Sequence, residues 1–238
     1  MNKFGISSVL AVSAICFLSW LSPLKASATT VNMDFTGVGG ANSGGVYTYP
    51  YYFEINGGSQ VPLMCVSYEQ EIYLSTPNET WTATITAIGT PVTGSPDDLT
   101  ATQEEEDAYL DSVILTPGAS AQTISDAQWA AWIVSDSALD SYSVLYNNLG
   151  LADASNILAE YSAAETFVGG HTLANDASFY DGYQLYVPEA GSELPNTDGL
   201  PQTFIGPTPV PEPRSLILLG SGLLAAAGAL YRRKRRIT

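Results

Sequence analysis

The distribution of charge along this chain limits both what it can fold into and what it can bind. All eight Lys and Arg residues lie near the two ends, at positions 3, 25, 214 and 232–236, and all 24 Asp and Glu residues lie between positions 29 and 213. The body must therefore fold on apolar burial and hydrogen bonds, without Lys or Arg salt bridges. A body with no Lys or Arg also cannot neutralise phosphates, which excludes nucleic-acid binding.

Residues 1–28 have the pattern of an export signal peptide. Lys3 gives a positive start, residues 6–21 are largely apolar, and Ala26 and Ala28 fit a small-x-small cleavage site. The alternative is a retained N-terminal membrane anchor, which the shortness of the stretch and Pro23 disfavour. We therefore expect the mature chain to begin at residue 29.

The C-terminus has a second apolar stretch, at residues 215–231, with small residues in its middle. At a rise of about 1.5 Å per residue, a helix over this stretch has the length of a short transmembrane span. A basic cluster follows it, consisting of Arg232, Arg233, Lys234, Arg235 and Arg236. The positive-inside rule keeps such a cluster in the cytoplasm, so the acidic body is expected on the far side of the inner membrane.

A proline-containing motif, formed by Val210, Pro211, Glu212 and Pro213, stands just before this stretch. The motif, the apolar helix and the basic cluster together resemble the PEP-CTERM sorting signal over residues 210–236. That resemblance implies recognition by an exosortase-type processing enzyme, removal of the helix, and delivery to the surface or extracellular matrix of a Gram-negative bacterium. The prolines favour extended backbone beside a cleavage site. The alternative is a permanent single-pass anchor.

The body, predicted at residues 29–188, has strand patterns followed by helical ones. Alternating residues at 46–55 and 81–87 predict strands, and the Asn-Gly-Gly-Ser turn at 56–59 predicts a β-hairpin. Helical composition follows at 102–115, 125–135, 138–149 and 152–167, and strand character returns at 179–187.

This order of elements predicts an α+β fold. Its sheet-rich N-terminal half is followed by a helical middle block and a returning C-terminal strand, with a separate short C-terminal transmembrane helix. Residues 189–209 are rich in Pro and Gly and predict an extended linker outside the core.

Cys65 is the one cysteine of the predicted mature chain, because Cys16 is removed with the signal, and no internal disulfide can therefore form. Its ordinary interpretation is a small buried hydrophobic residue. Gln128 stands in a run of alanines and tryptophans that is expected to be buried. A glutamine in such surroundings calls for a structural or a chemical reason.

Together these two segments resemble the bacterial thioester domains of surface adhesins. In that family a cysteine after an apolar or aromatic residue is crosslinked to the glutamine of a Thr-Gln-x-Ala-apolar-Trp motif. Cys65, Gln128 and Trp132 match these elements, whereas Ala127 stands in place of the threonine. The resemblance implies a Cys65–Gln128 thioester that transfers its acyl group to an amine or a hydroxyl, with Trp129 and Trp132 excluding water.

Each of these residues also has a structural interpretation. Ser125 and Gln128 fit a capping box, with Ser125 as the N-cap of a helix. Trp129 and Trp132 are three residues apart, which is typical of core packing. A hydrolase that uses Cys65 with His171 is formally possible, but no cysteine-protease signature surrounds Cys65.

Metal and cofactor sites are not predicted. One His and one Cys cannot complete a zinc site, and no calcium-loop motif is present. The acidic run at 103–107 is predicted to be a solvated helix N-terminus, where carboxylates suit the helix dipole.

Two functions are compatible with these features, and neither is an enzyme. The first is a surface or matrix binding and adhesion module, acting on an extracellular polysaccharide or surface ligand, through a Cys65–Gln128 thioester. The second is a passive acidic component of the extracellular polymer matrix with a buried, inert Cys65.

Overall fold

The computed structural model describes residues 29–40, 42–68, 79–90, 98–192, 200–207, 220, 222 and 223. The chain divides into two compact units, residues 1–206 and residues 207–238. In the second unit, Pro207 ends a strand and Gly220, Gly222 and Leu223 are helical. No helix among the described residues has the length and apolar character needed to cross a membrane. The predicted helix at 215–231 lies almost wholly outside them.

The first unit contains strands in its N-terminal half, helices in its middle and strands again at its end, which confirms the predicted α+β class. The strands are β1 Thr29–Val38, β2 Asn42–Ser43, β3 Val46–Tyr47, β4 Tyr51–Ile55, β5 Gln60–Cys65, β6 Thr80–Ala87, β7 Tyr183–Pro188 and β8 Phe204–Pro207. The α-helices are α1 Ala101–Ile114, α2 Ala121–Ser135, α3 Ala154–Gly170 and α4 Ala177–Tyr180, with a 3₁₀-helix at Ser137–Leu139 and a π-helix at Ser143–Asn148.

The main sheet closes into a barrel with the strand order β1-β4-β5-β8-β7-β6. The hairpin predicted at 56–59 joins β4 to β5, and Asn56 and Gly57 both have the positive φ angles that a tight hairpin turn requires. Alternate residues of β1 are buried, so one face of each strand points into the barrel. Phe53, Trp81 and Phe204 meet there, with ring centroids 4.6–6.3 Å apart.

The helices cover the outer face of one part of the barrel. Strand β5 is buried on both faces: Leu63 and Cys65 belong to the cluster inside the barrel, whereas Met64 and Val66 pack with the helices. Helix α2 contributes to both clusters, with Trp129 and Trp132 in the first and alanines in the second. The structure therefore packs α2 directly against the strand that carries Cys65.

The folded unit extends beyond the predicted boundary at residue 188. Phe204–Pro207 forms β8, and Met64 and Cys65 of β5 pair with Ile205 and Phe204. The prediction that residues 189–209 form a linker outside the core is therefore wrong for 204–206. The prolines around this segment hide the strand in the sequence, because they dominate its local composition.

The acidic residues of the run at 103–107 are buried, so the prediction that this helix N-terminus is solvated is wrong. Glu104, Glu105 and Glu106 are each less than 10% exposed. Backbone amides take the place of the missing cations: the N–H of Gly89 donates to Glu104 at 2.5 Å, and the N–H of Leu173 donates to Glu105 at 3.0 Å. These hydrogen bonds hold the loops that contain Gly89 and Leu173 against α1.

Helix α2 begins one turn earlier than predicted. Its N-cap is Ser120, whose side chain accepts from the N–H of Thr123 at 3.0 Å. Ser125 lies inside the helix, and its buried hydroxyl has no hydrogen-bond partner in the described parts of the chain. The predicted capping box of Ser125 and Gln128 is therefore wrong, and Gln128 has no capping role.

Replacing the two serines by alanine is expected to give different results. Ser120→Ala removes the cap and is expected to lower the free energy of unfolding by about 1 kcal/mol. Ser125→Ala removes only a hydroxyl without a partner, so the change is expected to stay within about 0.5 kcal/mol. Urea unfolding of the two variants measures the difference. Equal losses would contradict the assignment of Ser120 as the cap.

Candidate functional site

Cys65 is the last residue of β5 and is completely buried. Its thiol donates to the carbonyl oxygen of Ser67, with 3.1 Å between Sγ and O. Its pairing with Phe204 holds the backbone on one side. The thiol therefore lies in the buried interior at the end of β5 and not on an exposed loop.

Gln128 lies in the middle of α2 and is also completely buried. Its side-chain Nε2 donates to the carbonyl oxygen of Cys65 at 2.6 Å. Its Oε1 is buried and has no hydrogen-bond partner among the residues that the structure describes. The structure therefore brings together Cys65 and Gln128, two residues that are 63 positions apart in the sequence. Within the described part of the chain, the amide carbonyl of Gln128 has no donor.

Trp129 and Trp132 lie beside this contact, and both belong to the barrel cluster that includes Cys65. Their rings meet edge to face at 4.8 Å. Tyr68 packs against both, at 5.7 Å from Trp129 and 5.6 Å from Trp132. Sequence reasoning missed Tyr68, although an aromatic residue three positions after Cys65 is the kind of signal that would have found it. The three rings form an apolar wall at the site.

A small hairpin, formed by β2 and β3, packs on this wall. The Oγ of Ser43 accepts from the indole N–H of Trp129 at 3.2 Å. Gly44 has a φ of +63°, and a Cβ at this position would lie 2.7 Å from the Trp129 ring. The phenol of Tyr51 donates to the carbonyl of Tyr47. Glycine is thus required at position 44 both by the turn and by the close approach to the ring.

The segment before β8 fixes the backbone that follows Cys65. The N–H of Thr203 donates to the Oγ of Ser67 at 2.9 Å, and the N–H of Val66 donates to the carbonyl of Thr203 at 3.1 Å. The Gln202 side chain also donates to the carbonyl of Ser67, at 3.4 Å. Sequence reasoning missed this support because it placed residues 202 and 203 in the linker.

The surroundings of the site disfavour charge. Burial, with the neighbouring Cys65 thiol as a second cause, raises the pKa of Tyr51 far above its ordinary value. The Tyr51 side chain is almost fully buried and is therefore held neutral. Chemistry at Cys65 and Gln128 would thus take place in an apolar, water-poor environment, where a hydrogen bond to a developing charge has its greatest effect.

The other candidate residues lie elsewhere. His171 is half exposed, contacts Asp176 at 3.1 Å and stacks on Phe167 at the end of α3, whereas Cys65 is buried in the barrel. Within the part of the chain that the structure describes, no group of three or more His, Cys, Asp or Glu residues is arranged to hold a metal ion. The signal cleavage residues, the sorting motif and the basic cluster lie outside the described residues.

Comparisons with known proteins bear on both parts of the chain. A search of curated proteins gives no match. Among solved structures, the chain is similar to the N-terminal thioester domain of fibronectin-binding protein SfbI from Streptococcus pyogenes, with 14% identity and a TM-score of 0.44. The match covers 80% of this chain and 97% of that one.

At the C-terminus, residues 209–236 match the PEP-CTERM protein-sorting motif. The predicted sorting signal at 210–236 is thereby confirmed. This chain carries a PEP-CTERM sorting motif, which implies that it is exported, held transiently in the membrane and processed by an exosortase.

Proposed function

We propose that this exported protein is a binding module of the cell surface or extracellular matrix that attaches covalently to its ligand through a thioester between Cys65 and Gln128. The observation that carries the proposal is the hydrogen bond between two fully buried residues, in which the side-chain nitrogen of Gln128 lies 2.6 Å from the backbone carbonyl oxygen of Cys65. The structural role predicted for Gln128, a helix cap, is not available to it because the cap is Ser120.

The bond forms by an acyl exchange that needs no oxidant or cofactor. The Cys65 sulfur adds to the side-chain carbonyl carbon of Gln128, and the nitrogen leaves as ammonia with the thiol proton. An incoming amine or hydroxyl then attacks the same carbon and releases the Cys65 thiol, because a thiolate leaves more readily than an amide nitrogen. The ligand remains attached to Gln128 by an amide or ester bond, so each molecule reacts once and is not an enzyme.

The composition of the body supports this chemistry. No Lys lies between positions 26 and 233, so no side-chain amine of the mature body can consume the bond from within. The burial of both residues, together with the ring wall of Tyr68, Trp129 and Trp132, protects a thioester from water. The ligand is expected to be an amine- or hydroxyl-bearing surface molecule, including the extracellular polysaccharide.

Intact mass spectrometry of the exported protein tests the proposal. The expected mass is lower than that of the unmodified chain by one ammonia, and incubation with methylamine is expected to add one methylamine to this form. Cys65→Ala is expected to abolish both changes. Gln60→Glu alters an exposed amide on the same strand and serves as the control that should retain both.

An unmodified mass would contradict the thioester. If the Cys65 thiol of the unfolded protein then reacts fully with an alkylating reagent, and methylamine adds nothing, the alternative function holds. The protein would then be a passive acidic component of the matrix, in which Cys65 only fills space in the barrel core.

A further inference from the structure

Among the described residues, three side-chain groups on helix α2 are buried without hydrogen-bond partners: the hydroxyl of Ser125, one acceptor and one donor. The acceptor is Oε1 of Gln128, and the donor is the indole Nε1–H of Trp132. Both side chains are at most 2% exposed. Buried polar groups are nearly always hydrogen-bonded in native proteins, so each exception calls for an explanation.

These two residues are one helical turn apart and therefore share a face of α2. Side chains at i and i+4 are neighbours, with about 5–6 Å between their Cβ atoms. Helical side chains also lean towards the N-terminus of the helix, which directs the Trp132 ring towards the turn that carries Gln128. The edge-to-face contact of Trp132 with Trp129, at 4.8 Å, agrees with this direction.

The neighbouring tryptophan, Trp129, differs from Trp132 in that its indole N–H is hydrogen-bonded. The Nε1–H of Trp129 donates to Ser43 at 3.2 Å and is therefore occupied. The indole N–H of Trp132, by contrast, is buried and has no hydrogen-bond partner among the described residues. Trp81 on β6, a buried tryptophan of the same barrel cluster that lies outside α2, provides a control of the same residue type.

We propose that the indole N–H of Trp132 is the oxyanion donor for acyl transfer at Gln128. This inference rests on the proposed thioester function. When the Cys65 sulfur adds to the Gln128 carbonyl carbon, the carbonyl π electrons move to Oε1, which becomes an oxyanion. The Trp132 N–H stabilises that charge until the C–N bond breaks and ammonia leaves with the thiol proton. The same donor acts when an amine attacks the thioester and the C–S bond breaks.

The inference explains why the acceptor has no donor in the amide state. A donor aimed at the position that the charged oxygen occupies is more effective than one that binds the uncharged carbonyl, because it favours the transition state selectively. The same tryptophan ring that supplies the donor also excludes water. Core packing alone needs no N–H donor at this position, because a phenylalanine ring would also fill an apolar core.

The experiment compares Trp132→Phe with Trp81→Phe in the full-length exported protein. The measured quantity is the rate constant for methylamine incorporation into the thioester form, followed by intact mass. Trp132→Phe is expected to slow the reaction by about 10²–10³-fold, the usual loss for one oxyanion donor. Trp81→Phe, which removes an indole N–H that has no role in the proposed reaction, is expected to remain within a few-fold of the parent protein.

Equal rates for the two variants would overturn the inference while leaving the thioester in place. A parent protein without a thioester would instead contradict the proposed function and the inference together. Should Trp132→Phe not fold, benzothienylalanine introduced at position 132 keeps the ring shape and replaces the N–H by sulfur. The same 10²–10³-fold loss is expected for it, and an unchanged rate would reject the role of the donor.

Discussion

The free energy of unfolding is expected to fall as the pH rises from about 4 to about 8, which is the opposite of ordinary acid denaturation. Burial is the main cause that raises the pKa of Glu104, Glu106 and Asp126 to about 7 and that of Asp111 to about 8. Nearby carboxylates add to the shift, namely Glu105 for Glu104 and Glu106, Glu165 for Glu106, and Asp153 and Glu160 for Asp126.

The sign of the effect follows from proton binding. Each of these groups has a higher pKa in the folded chain than in the unfolded chain, where it titrates near 4. Between the two values the folded state binds more protons, so stability decreases with pH. The stabilising contribution is complete below about pH 4 and is lost as the pH passes through 7–8. With no Lys or Arg in the body, no cation offsets the loss.

Asp111 is expected to dominate, and replacing it tests the explanation. It is 1% exposed, neither carboxylate oxygen has a hydrogen-bond partner among the described residues, and the phenols of Tyr49 and Tyr183 lie near it. Asp111→Asn is expected to reduce the pH slope by one proton, or about 1.4 kcal/mol per pH unit. The variant is therefore expected to be more stable than the parent protein at pH 8.

Urea unfolding at pH 5, 6, 7 and 8 measures this slope for the parent and the variant. The exposed Asp140→Asn variant controls for the loss of one negative charge. A parent slope of zero, or an Asp111→Asn slope equal to that of the parent, would show that the buried carboxyl does not bind an extra proton in the folded state.

Removing β8 is expected to abolish folding, although the sequence places this segment outside the domain. A chain that ends after Pro188 loses the strand that pairs with Met64 and Cys65. It also loses Phe204, which contacts Tyr51, Phe53 and Trp81 inside the barrel. An open barrel would expose an apolar interior and unpaired strand edges, which favours aggregation.

Two variants make this expectation quantitative. Phe204→Ala is expected to cost about 3–5 kcal/mol, as for other large core aromatic residues, whereas the exposed Tyr146→Ala should change stability by less than about 0.5 kcal/mol. A chain that ends after Pro207 is expected to retain cooperative unfolding by circular dichroism. If the chain that ends after Pro188 has the same unfolding midpoint as the chain that ends after Pro207, β8 is not part of the folded unit.

Features that depend on neighbouring residues were predictable from the sequence. The sorting motif is a linear signal, and its family match at 209–236 agrees with the predicted 210–236. The α+β order also follows from local periodicity, and the turn at 56–59 follows from its Asn-Gly pair. The sequence singled out Cys65 and Gln128 one by one, and only the family resemblance predicted that they form a pair.

The contacts between segments that are distant in the sequence were decided by the tertiary structure. It placed the amide of Gln128 against the backbone of Cys65 and buried the glutamates of α1 beneath loops. It also made β8, at 204–207, a strand of the barrel. It also moved the start of α2 to Ala121, which left Ser125 without a capping role. A local pattern records only the preferences of a short segment, whereas burial and hydrogen-bond partners depend on surfaces that meet when the barrel closes. For that reason the sequence alone determined the destination and the fold class of this protein, and the closed barrel determined its candidate site.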